Sequence, residues 1–191
     1  MAKERVCPWY LGYFLANPLR RVVQNPEKIL RPYVNEGMTV LDIGSAMGFF
    51  TLPLCKLVGE SGHVIAVDLQ ARMISSLKRR VKRRGLSARV ETRICSSTSL
   101  GIDDLTEKVD VALAFAVLHE IPLQENAIKE IAGTLKNGGK FIMAEPKGHV
   151  TKEGFHQTML VAERLGLKRV ESPLVWHSEA VVMRKFLSSD I

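Results

Sequence analysis

Along this chain, short runs that are apolar on both faces alternate with stretches whose apolar residues recur at helical spacing. Thr39–Ile43, His63–Asp68 and Val109–Phe115 read as buried strands of a parallel sheet, as do residues 140–145, stopped by Pro146. Residues 88–94 read as another strand. Between them, Met73, Ile74, Leu77 and Val81 mark one amphipathic helix, and Ala127, Ile128, Ile131 and Leu135 mark a second, ended by Asn137-Gly138-Gly139. A helix over residues 49–58 tolerates Pro53 because it lies near the start. Thr151 caps a further helix through Leu165, and Gly166 closes it. Residues 167–175 and 179–186 form two strands joined by a short turn, hence antiparallel. The pattern predicts an α/β fold: a doubly wound, seven-stranded, mostly parallel sheet with an antiparallel C-terminal strand.

Residues 1–36 precede the first strand, and residues 37–191 form the core of a single domain. Asn17-Pro18 and Asn25-Pro26 each carry the cap-then-proline signature of a helix start. Trp9, Tyr10, Tyr13 and Phe14 crowd the first of these segments. Two roles fit them: packing on the sheet edge, or a lid that touches substrate.

The most informative stretch is Val40-Leu41-Asp42-Ile43-Gly44-Ser45-Ala46-Met47-Gly48. A strand running into a glycine turn and a helix is the usual ligand site of an open α/β sheet. A dinucleotide fingerprint anchored at Gly44 needs glycines at 46 and 49, where the chain has Ala46 and Phe49. No Gly-Lys-Ser/Thr follows, which excludes a P-loop. Gly44 ends the strand, Gly48 begins the helix, and Asp42 suits an ammonium or a sulfonium rather than a pyrophosphate. Asp68, at the end of the next strand, is placed to accept hydrogen bonds from ribose hydroxyls. A nucleoside with a cationic tail satisfies both acids, and S-adenosylmethionine is such a molecule.

On these residues the chain resembles the class I, Rossmann-like S-adenosylmethionine-dependent methyltransferases. Residues 40–48 are similar to the family's first motif and residues 64–69 to its ribose-binding second. Residues 109–122 resemble its fourth strand and following loop, and residues 135–139 the turn before strand five. The resemblance implies that Asp42, Gly44 and Ser45 hold the methionine end, that Gly48 belongs to the cofactor-binding turn, that Asp68 holds the ribose and that Leu69 lies against adenine. It departs from the pattern in two places. Ala46 replaces a glycine, and Cys95-Ser96-Ser97 stands where an acid usually reads adenine, leaving Ser96 as the adenine candidate. His119 and Glu120 are the candidate general bases, and Phe115 and Glu145 candidate substrate contacts. His63, His149, His156 and His177 show no metal spacing.

Composition narrows the readings further. The chain carries a formal net charge of +7, and much of the excess sits in Lys78-Arg79-Arg80-Val81-Lys82-Arg83-Arg84. Such a run is a solvated helix face or a nucleic-acid contact. Three scattered cysteines form no C-x-x-C, which suits reduced thiols in the cytoplasm. No apolar run approaches the ~20 residues of a membrane span, and no apolar stretch follows Lys3 and Arg5 as in a signal peptide. The leading expectation is a methyltransferase for a small-molecule acceptor. The alternatives are an RNA methyltransferase using the basic helix 78–84 and a non-catalytic S-adenosylmethionine-binding protein. The sequence is silent on oligomeric state.

Overall fold

The computed structural model describes residues 24–186. Trp9, Tyr10 and Tyr13 lie outside the described residues. Helix α1 (Pro26–Leu30) starts as expected, with the Asn25 side chain accepting the Lys28 N–H. Seven strands follow: β1 (Thr39–Ile43), β2 (His63–Asp68), β3 (Val90–Ile94), β4 (Val109–Phe115), β5 (Leu135–Pro146), β6 (Leu167–Glu171) and β7 (Ser178–Lys185). They form one sheet in the order β3-β2-β1-β4-β5-β7-β6. Strand β7 alone runs against its neighbours, pairing antiparallel with both β5 and β6. The expected doubly wound, mostly parallel sheet is present.

Helices α2 (Thr51–Leu57) and α3 (Ala71–Arg83) follow β1 and β2, and α4 (Gln124–Thr134) and α5 (Lys152–Arg164) flank β5. Helices α1 and α2 cover one face, where Leu30 and Leu54 pack with Val40, Val64 and Leu113. Helices α4 and α5 cover the other, where Ile128 and Phe155 pack with Leu41, Ile43 and Ile65. Because both faces are covered, the central strands are mostly apolar, and β1 has four of its five residues buried, Asp42 among them. The edge strand β6 instead exposes Lys168, Arg169 and Glu171, charges that discourage edge-to-edge pairing. Among the described residues, no helix is long and apolar enough to cross a membrane.

The boundaries of β3, α4 and β6 depart from the sequence pattern. Strand β3 starts at Val90 because Ser87–Arg89 form a single 3-10 turn. Helix α4 ends at Thr134, not at the glycines, and Leu135 already pairs with Val109 in the sheet. The register then shifts before Val111 pairs Lys140, and Gly138 takes φ +76 within that irregular stretch. Strand β6 stops at Glu171, just before Ser172-Pro173, since proline cannot donate to the ladder.

Candidate functional site

Strand β1 pairs with β2 on one side and β4 on the other. The connections after these two neighbours leave in opposite directions, so a crevice opens at the carboxyl ends of β1 and β4. A cleft of about 340 Å³ occupies it. The loop after β1 is shaped by three left-handed residues, Gly44 (φ +69), Ala46 (φ +45) and Gly48 (φ +87). Gly44 and Ser45 donate their N–H groups to the Val67 carbonyl at 2.9 and 3.0 Å, which stitches the loop to β2.

The two glycines do different work. A Cβ on Gly44 would sit 2.5 Å from Val117, so its absence lets the loop after β4 close over the turn. A Cβ on Gly48 would sit 2.5 Å from Leu77 of α3. The side of Gly48 on which a Cβ would stand therefore faces the core. Gly48→Ala is expected to cost about 1–3 kcal/mol of stability, measured by denaturant titration.

Asp42 is 3% exposed, and its Oδ2 accepts the Thr51 hydroxyl at 2.6 Å. Burial pushes its carboxyl up to about 7; the Thr51 hydrogen bond opposes this and the nearby Asp68 adds to it. An acid whose folded pKa lies above its ordinary 3.8 loses stability as pH rises through that window. Asp42→Asn is thus expected to raise Tm at pH 8 by roughly 2–8 °C, for ~1–2 kcal/mol, with little change near pH 3. Thermal melts at the two pH values check this. The gain comes from removing a charge that only a cationic ligand would satisfy.

Asp68 accepts the Ala46 N–H on one carboxylate oxygen and the Gln70 N–H on the other, both at 2.8 Å. Each oxygen keeps a further lone pair for a ligand. Burial raises its pKa, and the two backbone N–H groups hold it back. The Ala46 bond also pins the one left-handed residue of the loop that is not glycine. Ser45 supplies a buried hydroxyl that has no hydrogen-bond partner among the described residues. A buried polar atom without a partner is costly, and here it lies on the wall of the cleft. Two buried acids, an orphan hydroxyl and a glycine turn fit a nucleoside cofactor with a cationic end.

Leu69 is partly exposed on the cleft wall, beside Cys95 and Ser96. The Ser96 hydroxyl accepts N–H groups from Thr98 and Ser99 and donates to the Ser99 carbonyl at 3.2 Å. These bonds hold the loop that carries Ser96 on the cleft wall. Glu130 of α4 also reaches the cleft and accepts the Leu100 N–H at 2.9 Å, a contact no motif announced.

The far half of the cleft is aromatic. Phe49 and Phe50 meet edge to face, and Phe50 lies 4.3 Å from Phe115 between ring centroids. His119, on the 3-10 turn Leu118–Glu120, stands beside them. Its Nδ1 lies 2.5 Å from Glu145 Oε2, and Glu145 Oε1 accepts the Leu118 N–H at 2.8 Å. Glu145 is 3% exposed and is hydrogen-bonded to His119 from the buried side. The hydrogen bond to Glu145 raises the His119 pKa; burial opposes it, and the charges of Glu145 and Glu120 add to it. Glu120 Oε1 is 3.9 Å from His119 Nε2, beyond hydrogen-bond reach. His149, from the loop after β5, places its Nδ1 3.2 Å from the same nitrogen.

A doubly wound sheet with a glycine turn and two acids at its switch point is the frame of a nucleoside-cofactor protein. A family model described as a methyltransferase domain matches residues 34–179, and the chain belongs to that family. The chain is 31% identical over 112 residues to a ubiquinone/menaquinone biosynthesis C-methyltransferase of Azotobacter vinelandii, covering 59% of this chain and 44% of that protein. It is 31% identical over 109 residues to an arsenite methyltransferase of Halobacterium salinarum, covering 57% and 27%. The matches thus span less than half the length of these two relatives. A SAM-dependent methyltransferase from Aquifex aeolicus superposes with a TM-score of 0.83 at 24% identity, covering 94% of this chain and 99% of that one. The fold is that of S-adenosylmethionine-dependent methyltransferases.

Proposed function

We propose that this protein transfers the methyl group of S-adenosylmethionine to a small-molecule acceptor. One observation carries the reading: a single cleft joins the Asp42–Asp68 acid pair to the aromatic wall and His119. Asp42, Gly44 and Ser45 would hold the methionine end of the donor, Asp68 its ribose and Leu69 its adenine. The donor supplies a methyl group on a sulfonium, activated without further help from the protein. The chain's own work is to align the acceptor, exclude water and take up a proton. Phe49, Phe50 and Phe115 hold the acceptor and keep water out, and His119, oriented by Glu145, takes the proton. The names of the two relatives, for quinone biosynthesis and for arsenite, support a small acceptor.

The basic run supports a second reading only weakly. Lys78, Arg79, Lys82, Arg83 and Arg84 are exposed on α3, while Met73, Ile74, Leu77 and Val81 bury its other side. None of those five cations lines the cleft. A free thiol at each of Cys55 and Cys95 supports a reducing, cytoplasmic setting. The deciding experiment supplies labelled S-adenosylmethionine with cell extract divided into small-molecule and RNA fractions. Label in the small-molecule fraction supports the reading. Label confined to RNA, lost steeply with salt and with Arg79 and Arg83, replaces it with the nucleic-acid reading. Donor binding without transfer to either fraction leaves the non-catalytic one.

A further inference from the structure

One corner of the cleft is built where three elements meet. Leu69 follows β2, residues 95–100 follow β3, and Ala127 and Glu130 come from α4; all of them line the space. The Cys95 N–H donates to the Asp68 carbonyl at 3.1 Å, so the loop after β3 starts beside the acid assigned to the ribose. The sheet order β3-β2-β1 sets the direction of the ligand. With its cationic end at Asp42 on β1 and its ribose at Asp68 on β2, its base lies toward the loop after β3 and α4.

Glu130 brings a carboxylate into that corner. It is half-buried, and its helix is anchored by the buried Ala127, Ile128 and Ile131. Its Oε2 accepts the Leu100 N–H at 2.9 Å and the Ser99 hydroxyl at 3.3 Å. Its Oε1 takes no hydrogen bond from a described residue, and no described Lys, Arg or His pairs with the side chain. The carboxylate stands near Cys95: burial, Asp68 and Glu130, in that order, push the thiol up to about 11 against a backbone hydrogen bond. A half-buried carboxylate oxygen with its lone pairs unspent gains from a ligand N–H donor.

We propose that Glu130 selects the base of the cofactor, its Oε1 accepting a hydrogen bond from the exocyclic amine of adenine. This rests on the methyltransferase reading above. Adenine carries N–H donors at its 6-position. A purine without that amine offers Oε1 nothing and still takes its water away. Ser99 and Leu100 hold Oε2, which keeps the carboxylate in place before the ligand arrives and lowers the cost of ordering it. The selecting acid thus comes from α4, 31 residues along the chain from Ser99, and not from the loop after β3 itself. A glutamine at this position would keep its amide oxygen on the Leu100 and Ser99 donors and turn its NH2 to the cleft. Donor would then face donor.

Calorimetry on the full chain compares two probes, S-adenosylhomocysteine and the same molecule with hydrogen in place of the 6-amine. The native protein is expected to prefer the amine by about tenfold or more. Glu130→Gln should cut that preference to within about twofold, by weakening S-adenosylhomocysteine while the amine-free probe keeps its affinity to within about twofold. A thermal melt shows that the variant folds. Glu130→Ala, a change that suits a helix, repeats the comparison. The preference should collapse there too, whatever the loss of the loop bonds does to both probes alike. Equal weakening of the two probes in Glu130→Gln, with the preference intact, would make Glu130 a support of the loop alone and overturn the proposal. So would a native protein that binds both probes equally. A native chain that binds neither contradicts the methyltransferase reading itself, and this proposal with it.

Discussion

Changing His119 to glutamine is expected to slow methyl transfer by about 10²–10⁴-fold, the usual contribution of a positioned acid–base group. S-adenosylhomocysteine affinity should stay within about twofold of the native protein's. The measurement is single-turnover transfer to the acceptor that the labelled-donor screen returns, with calorimetry beside it. A loss of affinity equal to the loss of rate would instead make His119 a structural support of the donor cleft. Glu145→Gln probes the same unit from behind. The Glu145 hydrogen bond is the largest cause raising the His119 pKa above 6.5. An amide there removes that cause, so the His119 titration seen by ¹⁵N NMR moves to lower pH, and the limb of the rate profile moves with it. A merely structural carboxylate would lower the rate without moving the limb. The stability consequence has a definite sign. A histidine with a raised folded pKa stabilises the fold fully below its unfolded value and loses that contribution as pH rises through the folded one. Glu145→Gln should therefore lower Tm more at pH 6 than at pH 8.5.

Asp68→Ala is expected to weaken binding of both S-adenosylmethionine and S-adenosylhomocysteine by about 1–3 kcal/mol, roughly 5- to 150-fold. Two losses contribute. The ribose hydroxyls lose a charged acceptor, and the Ala46 and Gln70 N–H groups lose theirs. The second loss acts through the loop, since Ala46 is left-handed at φ +45 and is held there by the Asp68 carboxylate. Calorimetry on the variant, with a thermal melt to confirm folding, checks the value. Unchanged affinity would remove Asp68 from the cofactor site.

The turn after β1 and its two acids were legible in the sequence because they are close in the chain and their chemistry is type-specific. A buried strand running into Gly44, with acids at 42 and 68, allows few other uses. Gly48 shows where motif reading stops. The left-handed turn favours glycine there at φ +87, and a second reason is Leu77 of a helix some thirty positions on, which no local spacing reveals. The hydrogen bonds of the Ser96 hydroxyl were hidden for the opposite reason. Its partners are its immediate neighbours, and a short polar loop offers a hydroxyl many of them.

The acceptor half was less legible because it is assembled across the sheet. His119 and Glu145 are brought together only because β4 and β5 are parallel neighbours, with Phe115 level with Ala144. Glu145 then looks like any acid at a strand end until its burial is known. His149 lies thirty residues from the nitrogen it caps. The aromatics Trp9, Tyr10 and Tyr13 fall outside the described residues, so their assignment to packing or to a lid remains a proposal.

The central claim is that the cleft after β1 holds S-adenosylmethionine and not a dinucleotide. Isothermal titration of the native protein with S-adenosylmethionine, S-adenosylhomocysteine and NAD tests it most directly. The account predicts saturable one-to-one binding of the first two and no measurable heat from NAD. Tight NAD binding, or no binding of either sulfur compound, would contradict it.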